Sequence, residues 1–400
     1  MRLGIDVLLD QQKLIDELKT KRVALLAHPA SVTSQLEHTI DALLRNKISL
    51  TCAFGPQHGM RGEKQDNMIE SDDYLDPQTQ VPVLSLYGSV RRPTPEMMQR
   101  FDVLLVDLQD VGCRIYTYLT TLFYILEEAQ KLRKEIWVLD RPNPAGRPIE
   151  GTILTKGWES FVGMGPVPMR HGMTLGEIGS WMMHCYRFDF PYRVIKMENY
   201  SINESPGYGW PTHELSWVNP SPNMPTLCTA RAYAGTVMLE GTNLSEGRGT
   251  TRPLQIFGAP HINPEMILKE MQSFAPQWMS GMTLRPCYFE PTFHKYKGEL
   301  CSGFQIHVDH PTYDHEKFKP YRLMNLFFKI LATHQKEIFS WRQPPYEYEH
   351  ERLPIDLING GTEVREWVDD THAQAGDLEH LLSIDERHWK NESEPFLLYS

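Results

Sequence analysis

Short apolar runs alternate with helix-length amphipathic stretches through the first half of the chain. We predict strands at 4–8, 22–27, 49–54, 82–86, 103–108 and 136–139. The predicted helix starts carry capping residues: Ser34 with Glu37 has capping-box spacing, and Thr94 and Asn263 each precede a proline. Strands that alternate with helices predict an α/β fold built on a mostly parallel sheet.

The rest of the chain divides into a loop-rich region and a smaller second unit. Residues 146–225 are rich in Gly, Pro, Trp and Tyr. Helices are predicted at 174–186, 230–239 and 321–334, and a further strand at 304–308. We therefore expect a large domain over 1–282 and a smaller auxiliary α/β domain over 283–400.

Charge and cysteine content narrow the classes of function. Fifty-one acidic residues against 40 basic ones give a net charge of −11, which argues against a nucleic-acid binder. Asp6 and Asp10 interrupt the N-terminal apolar residues, and no apolar run approaches the roughly 18 residues of a spanning helix, so we predict neither a signal peptide nor a membrane span. The six cysteines form no C-x-x-C pair, which favours reduced thiols in the cytoplasm.

Each of four predicted strands is followed by polar side chains. They are His28 after the second strand, Gln57, His58 and Arg61 after the third, Gln109, Asp110 and Arg114 after the fifth, and Asp140, Arg141 and Asn143 after the sixth. Because open parallel sheets bind ligands at this edge, we expect the four loops to converge on one crevice. The alternative is that these residues only mark where buried strands end.

Arginines are frequent in or beside the same loops. The set comprises Arg61, Arg91, Arg92, Arg114, Arg141, Arg170 and Arg248. A guanidinium group binds carboxylate or phosphate through two parallel hydrogen bonds, so this local positive charge predicts an anionic ligand. The alternative is that the arginines pair with neighbouring Asp or Glu, which we expect for at least three of them.

Carboxylates near these loops are candidates for acid–base chemistry. They are Glu63, Asp110, Asp140, Glu150, Glu177, Glu240 and Glu246. Glycosidic cleavage typically uses two carboxyl groups, although a 2-acetamido substrate can supply its own nucleophile. Helix capping accounts for Glu177, three residues after Thr174, and Glu240 closes a helical stretch. The leading candidates are Asp110, Glu150 and Glu246.

No cofactor or metal is predicted. The chain has no nucleotide-binding glycine fingerprint, P-loop, G-x-S-x-G elbow or H-E-x-x-H sequence, which also disfavours a dinucleotide or sugar-nucleotide enzyme. His307, His310 and His315 lie close together in the sequence, but isolated loop histidines are commoner than a metal site. The chemistry is therefore expected to come from side chains alone.

Many loops match one known family in the same order along nearly the whole chain. The matching stretches are 54–62, 86–88, 91–95, 107–118, 139–144, 150–151, 160–163, 170–174, 220–223, 240–250 and 296–298. Together they resemble the YbbC/NamZ family of exo-β-N-acetylmuramidases. The resemblance implies a Rossmann-like domain with a smaller auxiliary domain and an active cleft between them. It also implies release of N-acetylmuramic acid from the non-reducing ends of peptidoglycan fragments.

With that resemblance, the loop residues take expected roles. One acid among Asp110, Glu150 and Glu246 protonates the leaving oxygen, His58 or His171 tunes it, and Gln57 holds the substrate or a water. The expected substrate-binding residues are His28, Arg61, Glu63, Arg92, Arg114, Tyr116, Asp140, Arg141, Asn143, Arg170, His171, Asn223, Asn243 and Arg248. The lactyl carboxylate of the sugar suits the arginines, so the expected partner is a small anionic amino sugar or peptidoglycan fragment.

One position departs from the family pattern. The usual loop reads Pro-Glu-His-Gly, and the resemblance implies that its glutamate is catalytic, but this chain has Gln57. An amide cannot act as a general acid or a carboxylate nucleophile. Either another acid such as Glu63, Asp110, Glu150 or Glu246 has taken over the task, or the chemistry has changed, or the protein binds muramyl fragments without cleaving them.

Overall fold

The computed structural model describes residues 1–62, 70–204 and 208–400. Its helices are α1 (Gly4–Asp10), α2 (Gln12–Lys19), α3 (Thr39–Arg45), α4 (Pro95–Met98), α5 (Tyr118–Leu132), α6 (Leu175–Cys185), α7 (Leu227–Thr236), α8 (Pro264–Phe274), α9 (Pro320–His334), α10 (Pro354–Asn359), α11 (Glu363–Asp369) and α12 (Ala375–Ser393). Its strands are β1 (Val23–Ala27), β2 (Leu50–Gly55), β3 (Tyr74–Leu75), β4 (Pro82–Ser85), β5 (Val103–Asp107), β6 (Glu135–Leu139), β7 (Glu150–Ile153), β8 (Pro168–Arg170), β9 (Tyr192–Ile195), β10 (Ile256–Ala259), β11 (Thr283–Phe289) and β12 (Cys301–His307).

The largest sheet in the described chain has seven strands in the order β3-β4-β2-β1-β5-β6-β9. All neighbouring pairs are parallel except β3 with β4 at one edge. From β1 the chain adds β2 and β4 on one side and then β5, β6 and β9 on the other, so the strand order reverses between β1 and β5. This arrangement confirms the predicted Rossmann-like α/β class, and its ligand edge lies at the carboxyl ends of β1 and β5.

Both faces of this sheet are buried. Alternate residues of β1 enter different cores: Ala24 and Leu26 pack on the side of α5 and α6, whereas Leu25 packs on the side of α1, α2 and α3. The first of these cores continues into the second half of the chain, where Phe257 and Phe304 belong to it. The two halves therefore share one hydrophobic core.

The second half is built around a three-stranded antiparallel sheet in the order β10-β12-β11. Helix α12 returns to the β7–β8 hairpin of the first half, where Glu386 accepts from the Gly151 N–H at 3.1 Å and Asp385 from the Ile153 N–H at 2.8 Å. Strand β10 precedes residue 282, and β11 and β12 follow it. The domain division at residue 282 stays a prediction.

Most of the predicted elements are confirmed. The predicted strands at 22–27, 49–54, 82–86, 103–108 and 136–139 are present with ends shifted by one residue, and the strand and helices of the later chain are present with ends shifted by a few residues. Thr94 accepts from the Met97 N–H at 3.3 Å and Asn263 from the Met266 N–H at 3.1 Å, so both predicted helix starts are correct. No helix of the described chain is long and apolar enough to cross a bilayer.

The predicted strand at 4–8 is wrong, since this segment forms α1. Asp6 accepts a hydrogen bond from the Leu3 N–H at 2.9 Å, a helix-start contact that no strand offers. Gly4 packs so closely on β6 that an added Cβ would lie 2.4 Å from the Asp140 nitrogen. A five-residue apolar run suits a short buried helix as well as a strand, which explains the error.

The predicted helix start at Ser34 and Glu37 is also wrong. These residues form a tight loop in which the Thr33 hydroxyl accepts from the backbone N–H of Glu37 at 3.2 Å. Helix α3 begins five residues later, at Thr39, with the His38 ring accepting from the Ile40 N–H at 3.3 Å. Local side-chain to backbone bonds use the same residue types as a helix cap, so the pattern does not distinguish the two.

Candidate active site

A polar cleft lies at the ligand edge of the large sheet, between the two halves of the chain. The polar and aromatic lining residues are Gln57, His58, Tyr116, Thr117, Ser221 and Asn223 on one wall and Tyr233, Glu240, Arg248, Tyr346 and Glu347 on the other. The first wall is positioned by the end of β2 and the start of α5. Of the predicted site residues, the structure brings Gln57, His58, Tyr116, Asn223 and Arg248 to this cleft.

Gln57 is held in one orientation by partners at both ends of its amide. Thr117 Oγ1 donates to Gln57 Oε1 at 2.9 Å, so the amide nitrogen faces the opposite wall, where it donates to the carboxyl group of Glu347. The next residue, His58, has a φ of 72°, in the left-handed region. Such backbone conformations cost roughly 1–3 kcal/mol and concentrate at functional sites. The loop after β2 therefore supplies an amide donor to the cleft.

Glu347 reaches the cleft from a tight two-residue turn. Tyr346 and Glu349 exchange backbone hydrogen bonds of 2.9 Å, and the residues between them, Glu347 and Tyr348, have φ of 43° and 69°. Positive φ at both central positions is the type I′ geometry, which favours Asn and Gly. Two bulkier residues there are strained. The turn places the Glu347 side chain against Tyr87, whose hydroxyl donates to Oε2 at 3.0 Å.

The environment of Glu347 favours its protonated form. Burial is the largest cause and the charge of Glu240 adds to it, so that the pKa of Glu347 is raised from 4.5 to about 7. Hydrogen bonds from Tyr87 and Gln57, and the charge of Arg91, act in the opposite direction. A carboxyl group with a pKa near neutrality can both donate and accept a proton at physiological pH.

Glu240, the second carboxylate of the cleft, is fully engaged. Arg248 donates to its Oε1 at 2.6 Å and the Tyr346 hydroxyl to its Oε2 at 2.7 Å. Arg248 also donates to Glu246 at 3.1 Å. Burial alone would raise the pKa of Glu246. Its cationic neighbours, led by Lys295 at 3.0 Å, outweigh burial and hold that pKa well below its usual range. Glu246 thus anchors Arg248 from outside the cleft lining.

Five predicted arginines are engaged away from the cleft. Arg61 pairs with Asp76 at 2.9 Å, Arg92 with Glu127 at 2.5 Å and Arg141 with Asp107 at 2.5 Å, while Arg114 donates to the carbonyls of Thr152, Val167 and Ile358, and Arg170 to those of Ala145 and Phe318. The expectation that these arginines converge on one ligand is therefore wrong. Among the described residues, Arg248 is the member of the predicted set that lines the cleft. Buried guanidinium groups must satisfy several donors, and backbone carbonyls and acids of the fold do so here.

Glu150 is a helix cap and lies outside the cleft. Its carboxylate accepts from the backbone N–H groups of Tyr321 at 3.2 Å and Arg322 at 2.9 Å, at the start of α9. The side chain of Arg322 lies 3.5 Å away. The free N–H groups and positive end of a helix dipole stabilise a carboxylate at this position. The structure therefore gives Glu150 a structural place, contrary to the expected catalytic one.

Asp140 and Asn143 tie the end of β6 to the loops around it. Asp140 accepts from Thr174 at 2.8 Å and from Tyr399 at 2.7 Å. Burial, with the charge of Glu177, raises the pKa of Asp140 to about 6. Asn143 donates to the Met173 carbonyl at 3.0 Å. Neither residue lines the cleft.

The remaining predicted residues also hold the scaffold. His28 is fully buried; its Nδ1 lies 3.2 Å from the Pro220 carbonyl, its Nε2 accepts from the Gln109 N–H at 2.8 Å, and burial holds its pKa well below the usual range. Asp110 and His171 face each other at 3.3 Å, and His171 lines a second cavity, beside α12. Asn243 donates to the Ile338 carbonyl at 2.7 Å. Glu63 lies outside the described residues.

Some cleft residues were missed by the sequence prediction. Thr117, Tyr233, Tyr346 and Glu347 are not among the predicted site residues. Glu240 is among the candidate carboxylates, with the end of a helical stretch as the alternative explanation for it. The segment Pro344-Pro345-Tyr346-Glu347-Tyr348-Glu349 alternates aromatic and acidic residues after two prolines. That alternation is the signal that could have identified the turn as a functional loop.

Two further features of the described chain bear on ligands. It contains no group of three His, Cys, Asp or Glu side chains placed to hold a metal ion; of the three candidate histidines, His315 is buried and stacks on Tyr208. A cavity of about 610 Å³ lies elsewhere, beside α12, with Arg147, Lys319 and Glu386 in its wall. The cleft at the sheet edge is narrower, about 40 Å³.

The fold and the cleft together define a two-part α/β protein with an acid–base site at the ligand edge of a Rossmann-like sheet. The chain belongs to the NamZ family: the N-terminal domain described as exo-beta-N-acetylmuramidase NamZ matches residues 23–228, and the C-terminal domain of the same description matches 231–399. The two walls of the cleft come from these two regions.

Individual relatives agree with this assignment. The chain is 42% identical over 318 residues to the peptidoglycan beta-N-acetylmuramidase NamZ of Bacillus subtilis strain 168. The aligned region covers 79% of this chain and 73% of that protein. Crystal structures of two DUF1343 family proteins from Bacteroides fragilis NCTC 9343 are also similar. One has a TM-score of 0.84 at 29% identity and the other 0.73 at 26%, each over 100% of this chain and 99% of the other.

Proposed function

We propose that the protein is a glycoside hydrolase that releases N-acetylmuramic acid from the non-reducing ends of peptidoglycan fragments. The observation that carries the proposal is the family match, which runs through both walls of one polar cleft. The Bacillus subtilis relative is named for this activity. No comparison favours the alternative of a muramyl-binding protein without hydrolysis.

The cleft offers the groups that such a reaction needs. Glu347 can supply a proton, while Gln57, Thr117 and Asn223 offer amide and hydroxyl contacts for sugar hydroxyls. Arg248 is the candidate partner for the lactyl carboxylate, in competition with Glu240 and Glu246. A space of about 40 Å³ is too small for a sugar, so binding requires the walls to separate.

The assay compares 4-nitrophenyl β-N-acetylmuramide with 4-nitrophenyl β-N-acetylglucosaminide, which lacks only the lactyl group. We expect release of nitrophenol from the first and a much lower kcat/KM for the second, and free N-acetylmuramic acid as the product from peptidoglycan fragments. Absence of turnover on every muramide at high enzyme concentration contradicts the proposal.

We also place the protein in the cytoplasm. All six cysteines are free in the structure, and burial raises the pKa of the Cys52 thiol to about 11 and that of Cys113 to about 12. Thiols that stay protonated and unpaired suit a reducing compartment. The substrate there is a small anionic fragment from wall turnover.

A further inference from the structure

The two glutamates of the cleft are in different electrostatic states. Glu240 has a direct cationic partner, Arg248, at 2.6 Å. Glu347, on the turn beside it, accepts hydrogen bonds from the uncharged donors Tyr87 and Gln57. Two carboxyl groups in unlike environments take different roles in acid–base catalysis, and the less compensated one retains a proton.

We propose that Glu347 is the proton donor of the reaction and that Gln57 is the residue that positions it. This inference rests on the proposed glycosidase function. It explains how the reaction proceeds with Gln57 in place of an acid at the end of β2. The proton donor lies instead on the opposite wall of the cleft, on the turn at 346–349.

The geometry supports this division of roles. Thr117 fixes the oxygen end of the Gln57 amide at 2.9 Å, which directs the nitrogen end at Glu347. Tyr87 fixes Glu347 Oε2 from another side at 3.0 Å. The strained backbone at Glu347 and Tyr348 sets the direction of the side chain. An acid that must meet one glycosidic oxygen needs this kind of rigid support.

The step balances without any added reagent. Glu347 gives its proton to the glycosidic oxygen while the C1–O bond breaks, and the bond electrons leave with that oxygen. The 2-acetamido oxygen of the same sugar bonds to C1, because the other cleft carboxylate, Glu240, is held by Arg248 and Tyr346. Water then attacks C1, displaces the acetamido oxygen and returns a proton to Glu347.

Several charged and titratable groups face Glu347. Glu240 lies on the adjacent 3-10 helix Val237–Gly241, and Arg91 approaches from the first half. Tyr87 and Tyr346 are the phenol groups that interact with the carboxyl group. Among these, Glu240 favours the protonated form and Arg91 the ionised form. The pKa of Glu347, about 7, is the balance.

The test compares wild type with Glu347→Gln on two substrates. One is the 4-nitrophenyl muramide, whose leaving group departs with little protonation, and the other is a disaccharide with a sugar leaving group, which needs it. We expect kcat/KM for the disaccharide to fall between about 100-fold and 10,000-fold, with a clearly smaller loss for the nitrophenyl substrate. The control is Glu351→Gln, which removes an exposed carboxylate just beyond the turn and which we expect to keep wild-type activity.

The pH profile gives an independent readout. Since Glu347 must be protonated in the free enzyme, kcat/KM falls about tenfold per pH unit above about pH 7. Tyr87→Phe removes a bond that favours the ionised form and moves this limb to higher pH. Glu240→Gln removes a repelling charge and moves it to lower pH.

The outcomes separate the two proposals. An active wild type with an equally active Glu347→Gln overturns the assignment of Glu347 alone, as does an equal loss on both substrates with no change in the pH limb. A wild type that hydrolyses no muramide overturns the glycosidase function and this assignment with it. A selective loss on the disaccharide, with the two opposite shifts of the limb, supports the assignment.

Discussion

At the scale of single residues, Glu347 combines three costs that a purely structural side chain avoids. It lies at a positive φ, its carboxyl group is buried, and the nearby charge of Glu240 repels its ionised form. Functional sites keep such unfavourable arrangements at the expense of stability. Removing the charge should therefore stabilise the fold under conditions where Glu347 ionises.

This leads to a prediction for Glu347→Gln. The pKa of Glu347 is raised in the folded state, so ionisation of its carboxyl group destabilises the fold. This penalty is absent below about pH 4.5, where the group is protonated in both states, and it grows as the pH rises to about 7. The shift corresponds to about 3 kcal/mol. We expect the variant and wild type to have similar free energies of unfolding near pH 4.5 and the variant to be more stable by up to about 3 kcal/mol at pH 8, by urea denaturation. An equal difference at both pH values contradicts the pKa.

Individual site residues are harder to predict from the sequence than helices and strands. Gln57 follows a strand that the apolar pattern predicts, and it lies in the cleft. Glu347 was not, because its burial depends on Tyr87, which is 260 positions away in the sequence. The expectation that several arginines bind one ligand differs from the structure for a related reason. Whether a guanidinium group faces a ligand or a carbonyl of its own fold depends on packing, which the residue type does not reveal.

At the scale of elements, α9 depends on a cap from a different strand. Its first free N–H groups at Tyr321 and Arg322 are bound by Glu150 of β7. Because the cap is distant in sequence, it joins the second half of the chain to the β7–β8 hairpin as well as completing the helix.

We predict that Glu150→Ala destabilises the protein without disabling the site. Loss of the buried acceptor leaves the backbone N–H groups of Tyr321 and Arg322 without their partner, which costs about 1–3 kcal/mol. The Arg322 guanidinium keeps its bonds to Glu379 and Glu386. We expect a lower Tm in thermal denaturation and a kcat/KM close to wild type well below that temperature. Exposed Glu316→Ala serves as the control with unchanged Tm. A selective loss of kcat with unchanged Tm would return Glu150 to the catalytic candidates.

Element prediction succeeded where a pattern had one physical meaning. Short, mainly apolar runs such as 103–108, between turn residues, correspond to strands buried on both faces. It failed at 4–8, where the same kind of run forms α1, and at Ser34, where a loop uses capping residues. Short segments offer too few positions to separate a period of two from one of 3.6.

At the scale of the whole molecule, the site exists only where the two halves meet. Gln57 and Thr117 come from the first half, and Glu240, Arg248 and Glu347 from the second. Tyr348 closes the same boundary, with the Arg91 guanidinium 3.1 Å from its ring centroid. Since the cleft measures about 40 Å³, the proposed function requires these contacts to separate to admit a sugar.

The most direct measurement is a crystal structure of the Glu347→Gln variant with an intact disaccharide that ends in N-acetylmuramic acid. The account predicts the sugar in the cleft at the sheet edge, with the side-chain amide of residue 347 within hydrogen-bond distance of the glycosidic oxygen and Gln57 still beside it. A disaccharide bound in the cavity beside α12, or one whose glycosidic oxygen faces a different acid, would contradict it.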